Sequence, residues 1–207
     1  MKFISVLLLF SMYSTLSYSQ VDYSKLPEDD QRRLREAALL LNGSDRLFLV
    51  EGVNGVLRGN NHICWSSSRI FDNTVPGFHH NMTYYTTQNM KSTKSPILES
   101  RFPYWYVGTV EKVPTVLLKV TDAKTREFNI TGDYLILETQ PSCLVMGILT
   151  GNTYNSTCLH WVAKNGFTTN RTLCNNAFYK NCTNLRGDWY FWRQRCDNEN
   201  KPKQAKS

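Results

Sequence analysis

The six cysteines of this chain are the feature that most limits its possible folds. No two of them have CxxC spacing, and they are spread over the last two thirds of the sequence, at Cys64, Cys143, Cys158, Cys174, Cys182 and Cys196. An even number of dispersed cysteines predicts three disulfides, because a zinc site needs tighter clusters of Cys and His. The cysteine positions alone leave the pairing open.

The first residues have the pattern of an export signal. A lysine precedes an apolar run from Phe3 to Met12, and the small residues Ser17 and Ser19 suit a cleavage site. This pattern predicts a secretory signal peptide over residues 1–19, with a buried N-terminal strand as the alternative. No later segment approaches the roughly 20 apolar residues of a membrane-spanning helix, so we expect no membrane span.

The chain also carries six Asn-x-Ser/Thr sequons. Together with the signal pattern and the cysteines, they favour a glycosylated, extracellular protein. The predicted acceptors are Asn42, Asn81, Asn129, Asn155, Asn170 and Asn181.

The basic residues of the chain do not cluster in one region of the sequence. There are 24 basic and 17 acidic side chains, and the basic ones are scattered apart from the C-terminal KPKQAKS. Scattered charge is typical of a solvated surface, so we expect no nucleic-acid partner. We predict one folded domain over residues 20–198 and a basic, flexible tail over residues 199–207.

The region after the signal predicts one helix followed by strands. In LPEDDQRRLREAALLLNGSD, Pro27 and three acids suit a first turn, and Gly43 can end the helix. Its apolar stripe, which we expect on the end or flank of a barrel, is Leu34, Ala37, Ala38 and Leu41.

About eight antiparallel strands follow, separated by turns rich in Gly, Asn and Pro. The aromatic, cysteine-rich stretch LCNNAFYKNCTNLRGDWYFWRQRC then predicts a helical or irregular segment tied to the barrel. A closed barrel of this size can be filled by its own side chains or can hold one small ligand.

Strand alternation predicts which side chains point into that barrel. A glycan on Asn81 must point outward, which places Met82, Tyr84 and Thr86 inward, and the same reasoning for Asn129 places Phe128 and Ile130 inward.

In RFPYWYVGTV we expect the tyrosine-rich face, Phe102, Tyr104 and Tyr106, to point inward. The alternative is that these side chains form a cross-strand ladder on the surface while Trp105 and Val107 point inward.

No catalytic motif of the GxSxG, HExxH or P-loop type is present. The four histidines, His62, His79, His80 and His160, lack metal-ligand spacing, and we expect the adjacent pair at a surface strand entry. A free thiol at Cys64 would permit an isomerase or peroxidase, but disulfide formation would remove that nucleophile. We therefore expect a non-enzymatic protein without metal or cofactor.

The segment from Cys143 to Cys174 resembles part of the salivary lipocalins of ticks, the histamine-binding-protein family. That family's amine-binding motif is Cys-Asp-[Val/Ile/Leu], then Glu-Leu-[Trp/Tyr], then a later Cys. Here the matching places read Cys143-Leu144-Val145, Leu159-His160-Trp161 and Cys174. The resemblance extends over the mature chain and implies an eight-stranded antiparallel lipocalin barrel, a short N-terminal helix and a disulfide-tied C-terminal helical segment.

The cysteine frame of the motif is present, but its acids are not. Leu144 replaces the Asp and Leu159 replaces the Glu. A further acid of some members falls on Tyr134, although a shift of one residue would bring Asp133 there. The resemblance also implies disulfides joining Cys64 to Cys196 and Cys143 to Cys174, with Cys158 to Cys182 as in members that have an additional cysteine in the last strand.

Loss of both acids disfavours an amine, and the chain is most similar to the glycosylated, cholesterol-binding members that reprogramme host dendritic cells. The resemblance implies a secreted, monomeric protein that binds a sterol or fatty acid and acts on a host immune-cell surface protein. The alternatives are a scavenger of histamine, serotonin or leukotrienes and, from another class, a disulfide-rich protease inhibitor. The residues expected to contact the ligand are Tyr84, Phe102, Tyr104, Tyr106, Tyr134, Ile136, Leu144, Met146, Leu159 and Trp161.

Overall fold

A single ten-stranded antiparallel sheet organises the part of the chain that the structure describes. The structure is a computed structural model and describes residues 23–72, 77–86, 95–120 and 130–203. Its strands are β1 (Leu47–Val53), β2 (His62–Arg69), β3 (Phe78–Thr86), β4 (Ile97–Arg101), β5 (Pro103–Val110), β6 (Val113–Val120), β7 (Gly132–Gln140), β8 (Cys143–Ile148), β9 (Thr157–Ala163) and β10 (Trp189–Phe191).

The sheet closes on itself through β1. Leu47 pairs with Ser67 of β2 on one side and with Ala163 of β9 on the other. The closed path β1-β2-β3-β5-β6-β7-β8-β9 confirms the predicted eight-stranded antiparallel barrel. Two short strands lie outside this path, since β4 extends the free part of β3 and β10 pairs with the end of β1.

The predicted N-terminal helix is present as α1 (Glu28–Asn42), with Pro27 at its N-cap and Gly43 at its C-cap. Arg32 donates one hydrogen bond to the carbonyl of Thr139 and another to the carboxylate of Glu138, each at 2.8 Å. These contacts hold α1 across the barrel end where β7 finishes and β8 begins. The side chains that it buries there are Leu34, Ala37, Leu40 and Leu41.

The C-terminal helical segment is also confirmed. Helix α2 (Thr172–Cys182) lies on the outside of the barrel, where Cys174 bonds to Cys143 of β8 and Cys182 to Cys158 of β9. A short helix α3 (Trp192–Arg195) precedes Cys196, which bonds to Cys64 of β2. The disulfides implied by the resemblance are therefore the ones in the structure. They close loops of 24 to 132 residues, a range worth about 3 to 5 kcal/mol each in the chain-entropy model.

The chain continues to pack on the barrel beyond residue 198. Asn200 is buried, and its amide nitrogen donates to the carbonyl of Cys64 at 2.7 Å while its amide oxygen accepts from the indole of Trp192 at 2.7 Å. Asn200, which falls in the predicted flexible tail of residues 199–207, thus completes two buried hydrogen bonds. Residues 204–207, and all but a few residues before α1, lie outside the described ranges.

The sequons differ in accessibility. Asn42, Asn155 and Asn170 are exposed, whereas Asn81 and Asn181 are half-buried. The alternation inferred from Asn81 holds for Met82 and Tyr84, which are buried inside the barrel, and Thr86 is half-buried at the strand end. Ile130 is buried as expected, and Phe128 and Asn129 lie outside the described residues.

No helix within the described ranges combines the length and the apolar character needed to cross a bilayer.

Candidate functional site

The inner wall formed by β8 and β9 is the core of the candidate site. Leu144 pairs with Trp161 and Met146 pairs with Leu159, so these four side chains share one face of the sheet. The alternate residues Cys143 and Cys158 bond to α2 on the outside, which directs the four toward the barrel interior. All four are fully buried.

Two tryptophans meet across the interior. Trp105 of β5 and Trp161 of β9 belong to strands that are not neighbours in the barrel, yet their ring centroids lie 5.8 Å apart in an edge-to-face arrangement. Both side chains are fully buried, and neither indole nitrogen has a hydrogen-bond partner within the described part of the chain. A buried donor without a partner costs about 1 to 3 kcal/mol, so this pair favours a ligand oxygen nearby.

The interior end beneath α1 is closed by a hydrogen-bonded histidine. The Nε2 of His80 donates to the carbonyl of Leu41 at 2.7 Å, and its Nδ1 accepts from the hydroxyl of Ser67 at 2.9 Å. Burial lowers the pKa of His80 to about 4, which keeps the ring neutral. The prediction that His80 lies at a surface strand entry is wrong, because its side chain takes the inward phase of β3, whereas its neighbour His79 lies partly exposed on the outer face.

The opposite end of the interior is aromatic with a charged edge. The rings of Trp65 and Tyr84 stack with centroids 4.3 Å apart, and the guanidinium of Arg101 lies 5.8 Å from the Tyr84 ring. Arg101 and Glu99 pair with Met82 and Tyr84 respectively, which places both charged residues on the inner side of β4. A polar group of a ligand would meet these charges at this end.

Tyr134 and Ile136 are buried as well, with Ile136 paired to Met146. The Tyr134 hydroxyl donates to the carbonyl of Ile130 at 3.0 Å, and burial raises the pKa of this phenol. Asp133 is exposed on the other face of the strand. Tyr134, and not Asp133, therefore takes the inward place in β7.

The expected inward orientation of Phe102, Tyr104 and Tyr106 is wrong. Phe102 is exposed, and the Tyr104 ring stacks on His79 with centroids 4.4 Å apart and lies 6.4 Å from the ring of Tyr106. These residues form the surface ladder that was the alternative. Burial of the large Trp105 indole on the opposite face sets the strand phase. The alternation within RFPYWYVGTV is compatible with this phase as well as with the one expected.

The acids Glu138 and Glu51, on the strands that flank β8 and β9, face outward and have side-chain hydrogen-bond partners. Glu138 bonds to Arg32 at 2.8 Å, and a register shift after Leu49 turns Glu51 outward, where it lies 3.4 Å from the Nδ1 of His160. Leu144 and Leu159 thus occupy apolar positions in the wall where the amine-binding motif has its acids. The wall of β8 and β9 offers no counterion for an ammonium group.

The structure provides no thiolate for nucleophilic or metal chemistry. All six cysteines lie in the described ranges and are paired, so Cys64 carries no free thiol. One cluster with ligand atoms within 4.8 Å of one another contains Cys143, His160 and Cys174, but the two sulfurs are bonded to each other. That disulfide removes two of the three potential metal ligands.

Comparison with protein-family models finds no match for this sequence, and neither does comparison with curated proteins. Among solved structures, japanin from Rhipicephalus appendiculatus bound to cholesterol matches with a TM-score of 0.55 at 18% identity, covering 73% of this chain and 93% of japanin. A complex of AM182 with serotonin matches with a TM-score of 0.45 at 15% identity, covering 75% and 88%, which is too weak an overlap to argue from. The likeness to japanin shows that this chain has a tick salivary lipocalin-like fold.

Proposed function

We propose that this protein is a secreted lipocalin that binds one uncharged hydrophobic ligand, cholesterol or a similar lipid, in its barrel and modulates the host immune response. The observation that carries the proposal is the inner wall of Leu144, Met146, Leu159 and Trp161, which contains no acid. The proposal includes immune modulation, and action on dendritic cells in particular, because of the sequence resemblance. The likeness in fold to japanin, solved with cholesterol, is consistent with this ligand class.

The energetics of the wall favour a lipid over an amine. A buried ammonium group without a carboxylate costs several kcal/mol in desolvation, and aromatic rings return only about 1 to 2 kcal/mol. Burial of about 300 to 400 Å² of apolar ligand surface yields roughly 8 to 10 kcal/mol before the cost of association. A sterol or acyl chain is therefore the better match for Leu144 and Leu159.

We expect the ligand to place one hydrogen-bond acceptor near the two buried indoles. The indole groups of Trp105 and Trp161 are donors without a partner among the described residues. A hydroxyl or keto oxygen accepts from such a donor without bringing a charge into the barrel. A sterol supplies one such oxygen on an otherwise apolar body.

A leukotriene or fatty acid is the second candidate ligand class. The guanidinium of Arg101 lies on the inner side of β4, 3.8 Å from the carboxylate of Glu99, and a carboxylate at the end of an acyl chain would compete with Glu99 for it. This ligand would place its charge beside Tyr84 and its chain against Leu159 and Met146.

The direct test is a competitive titration of delipidated, disulfide-bonded protein. We expect saturable binding of the fluorescent sterol dehydroergosterol, displacement by cholesterol, and little heat from histamine or serotonin in calorimetry. Displacement by an acidic acyl lipid but not by cholesterol would favour the second candidate. Tight binding of an amine without any sterol binding would overturn the proposal.

Secretion and host action need their own measurements. Expression in insect cells with the native N-terminus should yield processed, glycosylated protein in the medium. Applied to cultured dendritic cells, that protein should change their maturation markers, whereas reduced and alkylated protein should not. Retention inside the producing cells would count against secretion, and unchanged markers would count against immune modulation.

A further inference from the structure

A cleft on the outside of the barrel has the features of a ligand site. It has a volume of about 790 Å³ and lies between β1, α3 and the C-terminal segment. Its floor is a cluster of three aromatic rings, in which Phe167 lies 5.6 Å from Phe48 and 5.1 Å from Trp192 between centroids. An adjoining cleft of about 260 Å³ shares Phe167 and Trp192 and extends the floor toward α2.

The rim of this cleft is positively charged. Lys164, Arg193 and Lys203 line it and are exposed. None of the three forms an ion pair with any carboxylate in the described part of the chain. The one acid in the lining, Asp197, accepts hydrogen bonds from the backbone N–H groups of Glu199 and Lys201, so it is already engaged.

A fourth cation, Arg171, lines the adjoining cleft next to Phe167, which both clefts share. The guanidinium of Arg171 lies 5.6 Å from the centroid of the Phe167 ring. Burial and then the charge of Arg193 lower the pKa of Arg171, so the two guanidinium groups repel each other, and the carboxylate of Glu51 in the adjoining cleft offsets part of this effect by raising that pKa. An anion bound between them would relieve that repulsion.

A disulfide and several hydrogen bonds within the chain hold the walls of the site in place. The disulfide from Cys196 to Cys64 fixes the C-terminal segment on β2, and Asn200 holds the Trp192 indole at 2.7 Å. The backbone N–H of Lys164 donates to the carbonyl of Arg46 at the start of β1. A preorganised site loses little conformational entropy on binding.

We propose that this cleft is a second ligand site, separate from the barrel interior, for a small anion with a flat apolar body, such as an aromatic carboxylate or sulfonate. Its volume falls within the roughly 300 to 1,000 Å³ of small-molecule pockets. A protein partner would need about 800 Å² of contact on each side, which is more than this cleft presents. The aromatic floor matches the ligand body and the cationic rim matches its charge.

The test uses 8-anilinonaphthalene-1-sulfonate and its uncharged analogue N-phenyl-1-naphthylamine as probes of the folded protein. The variant Lys164→Glu/Arg193→Glu should lose one binding step for the sulfonate or bind it at least tenfold more weakly. The uncharged probe should bind within about twofold of the wild type. Phe167→Ala should weaken both probes, because it removes part of the floor.

The control variant Lys119→Glu/Lys180→Glu makes the same change in net charge at two exposed positions outside the cleft. It should bind the sulfonate as the wild type does, and circular dichroism should show both double variants folded. An unchanged sulfonate titration in Lys164→Glu/Arg193→Glu, or an equal loss in the control, would overturn the proposal. Rim-dependent binding of heparin oligosaccharides without sulfonate binding would also overturn it, because the ligand would then be an extended polyanion.

Discussion

Leu144 and Trp161 lie opposite each other in the pairing of β8 and β9, and both side chains are fully buried inside the barrel. In the amine-binding motif the place of Leu144 carries an acid, so this contact replaces a charged site by an apolar one. Cys143 of β8 and Cys158 of β9 bond to α2, as the family resemblance implies. The disulfide frame therefore agrees with the resemblance, whereas the wall is apolar where the motif has acids.

Restoring an acid in the wall should destabilise the protein. Leu144→Asp places a carboxylate in a fully buried apolar position, and we expect the free energy of unfolding to fall by several kcal/mol at pH 7. Sterol affinity should fall as well. Leu149→Asp is the matched control, since Leu149 is exposed and should tolerate the change within about 0.5 kcal/mol. Equal unfolding curves for the two variants would contradict the inward position of Leu144.

Removing one indole donor should lower the affinity for the ligand more than it lowers the stability of the fold. Trp161→Phe keeps a ring in the wall and deletes an N–H that has no partner among the described residues. We expect dehydroergosterol affinity to fall by about 5- to 10-fold, as for the loss of one hydrogen bond of roughly 1 kcal/mol. Trp65→Phe is the contrasting variant, because the Trp65 indole already donates to the carbonyl of His62 at 3.1 Å. Unchanged sterol affinity in Trp161→Phe would mean that the ligand oxygen lies elsewhere.

The buried His80 should make stability depend on pH. Its pKa is about 4 in the folded protein and 6.5 in the unfolded chain, so on acidification the unfolded state takes up the proton first. The stabilisation is complete above pH 6.5 and is lost as the pH falls toward 4, an interval that corresponds to about 3 kcal/mol. In urea denaturation, His80→Gln should reduce the dependence of the free energy of unfolding on pH between about 6.5 and 4. His160 and His62, whose pKa values burial also lowers, should leave a residual slope of the same sign.

The ion pair between Arg32 and Glu138 should hold α1 on the barrel end. Glu138 is mostly buried and also accepts a hydrogen bond from the backbone N–H of Thr139, and Glu138→Gln removes the negative charge that pairs with Arg32. We expect a loss of about 1 to 3 kcal/mol in thermal or urea unfolding. Asp29→Asn removes an exposed partner of the same arginine and should cost less than about 0.5 kcal/mol. Similar losses in both variants would argue against a special role for Glu138.

Much of the fold followed from local patterns in the sequence. Pro27 and Gly43 bound α1 as the helix signals predict, and the family resemblance implied the cysteine partners that the structure contains. These features depend on residues close in sequence or on a spacing shared with related chains.

The less predictable features depend on contacts between distant residues. The phase of β5 is set by Trp105, which meets Trp161 from the far side of the barrel, and no local pattern distinguishes it from the opposite phase. His80 is buried because it caps Leu41 of α1, and Asn200 is buried because it bonds to Cys64. The external cleft likewise arises from β1, the turn at Phe167 and α3, which are far apart in sequence.

The most direct test of the account is native mass spectrometry of glycosylated protein secreted from eukaryotic cells, followed by lipid extraction. The apolar wall of Leu144, Met146, Leu159 and Trp161 predicts a co-purifying sterol or similar neutral lipid at one molecule per chain. An empty barrel that takes up histamine or serotonin tightly would contradict the account.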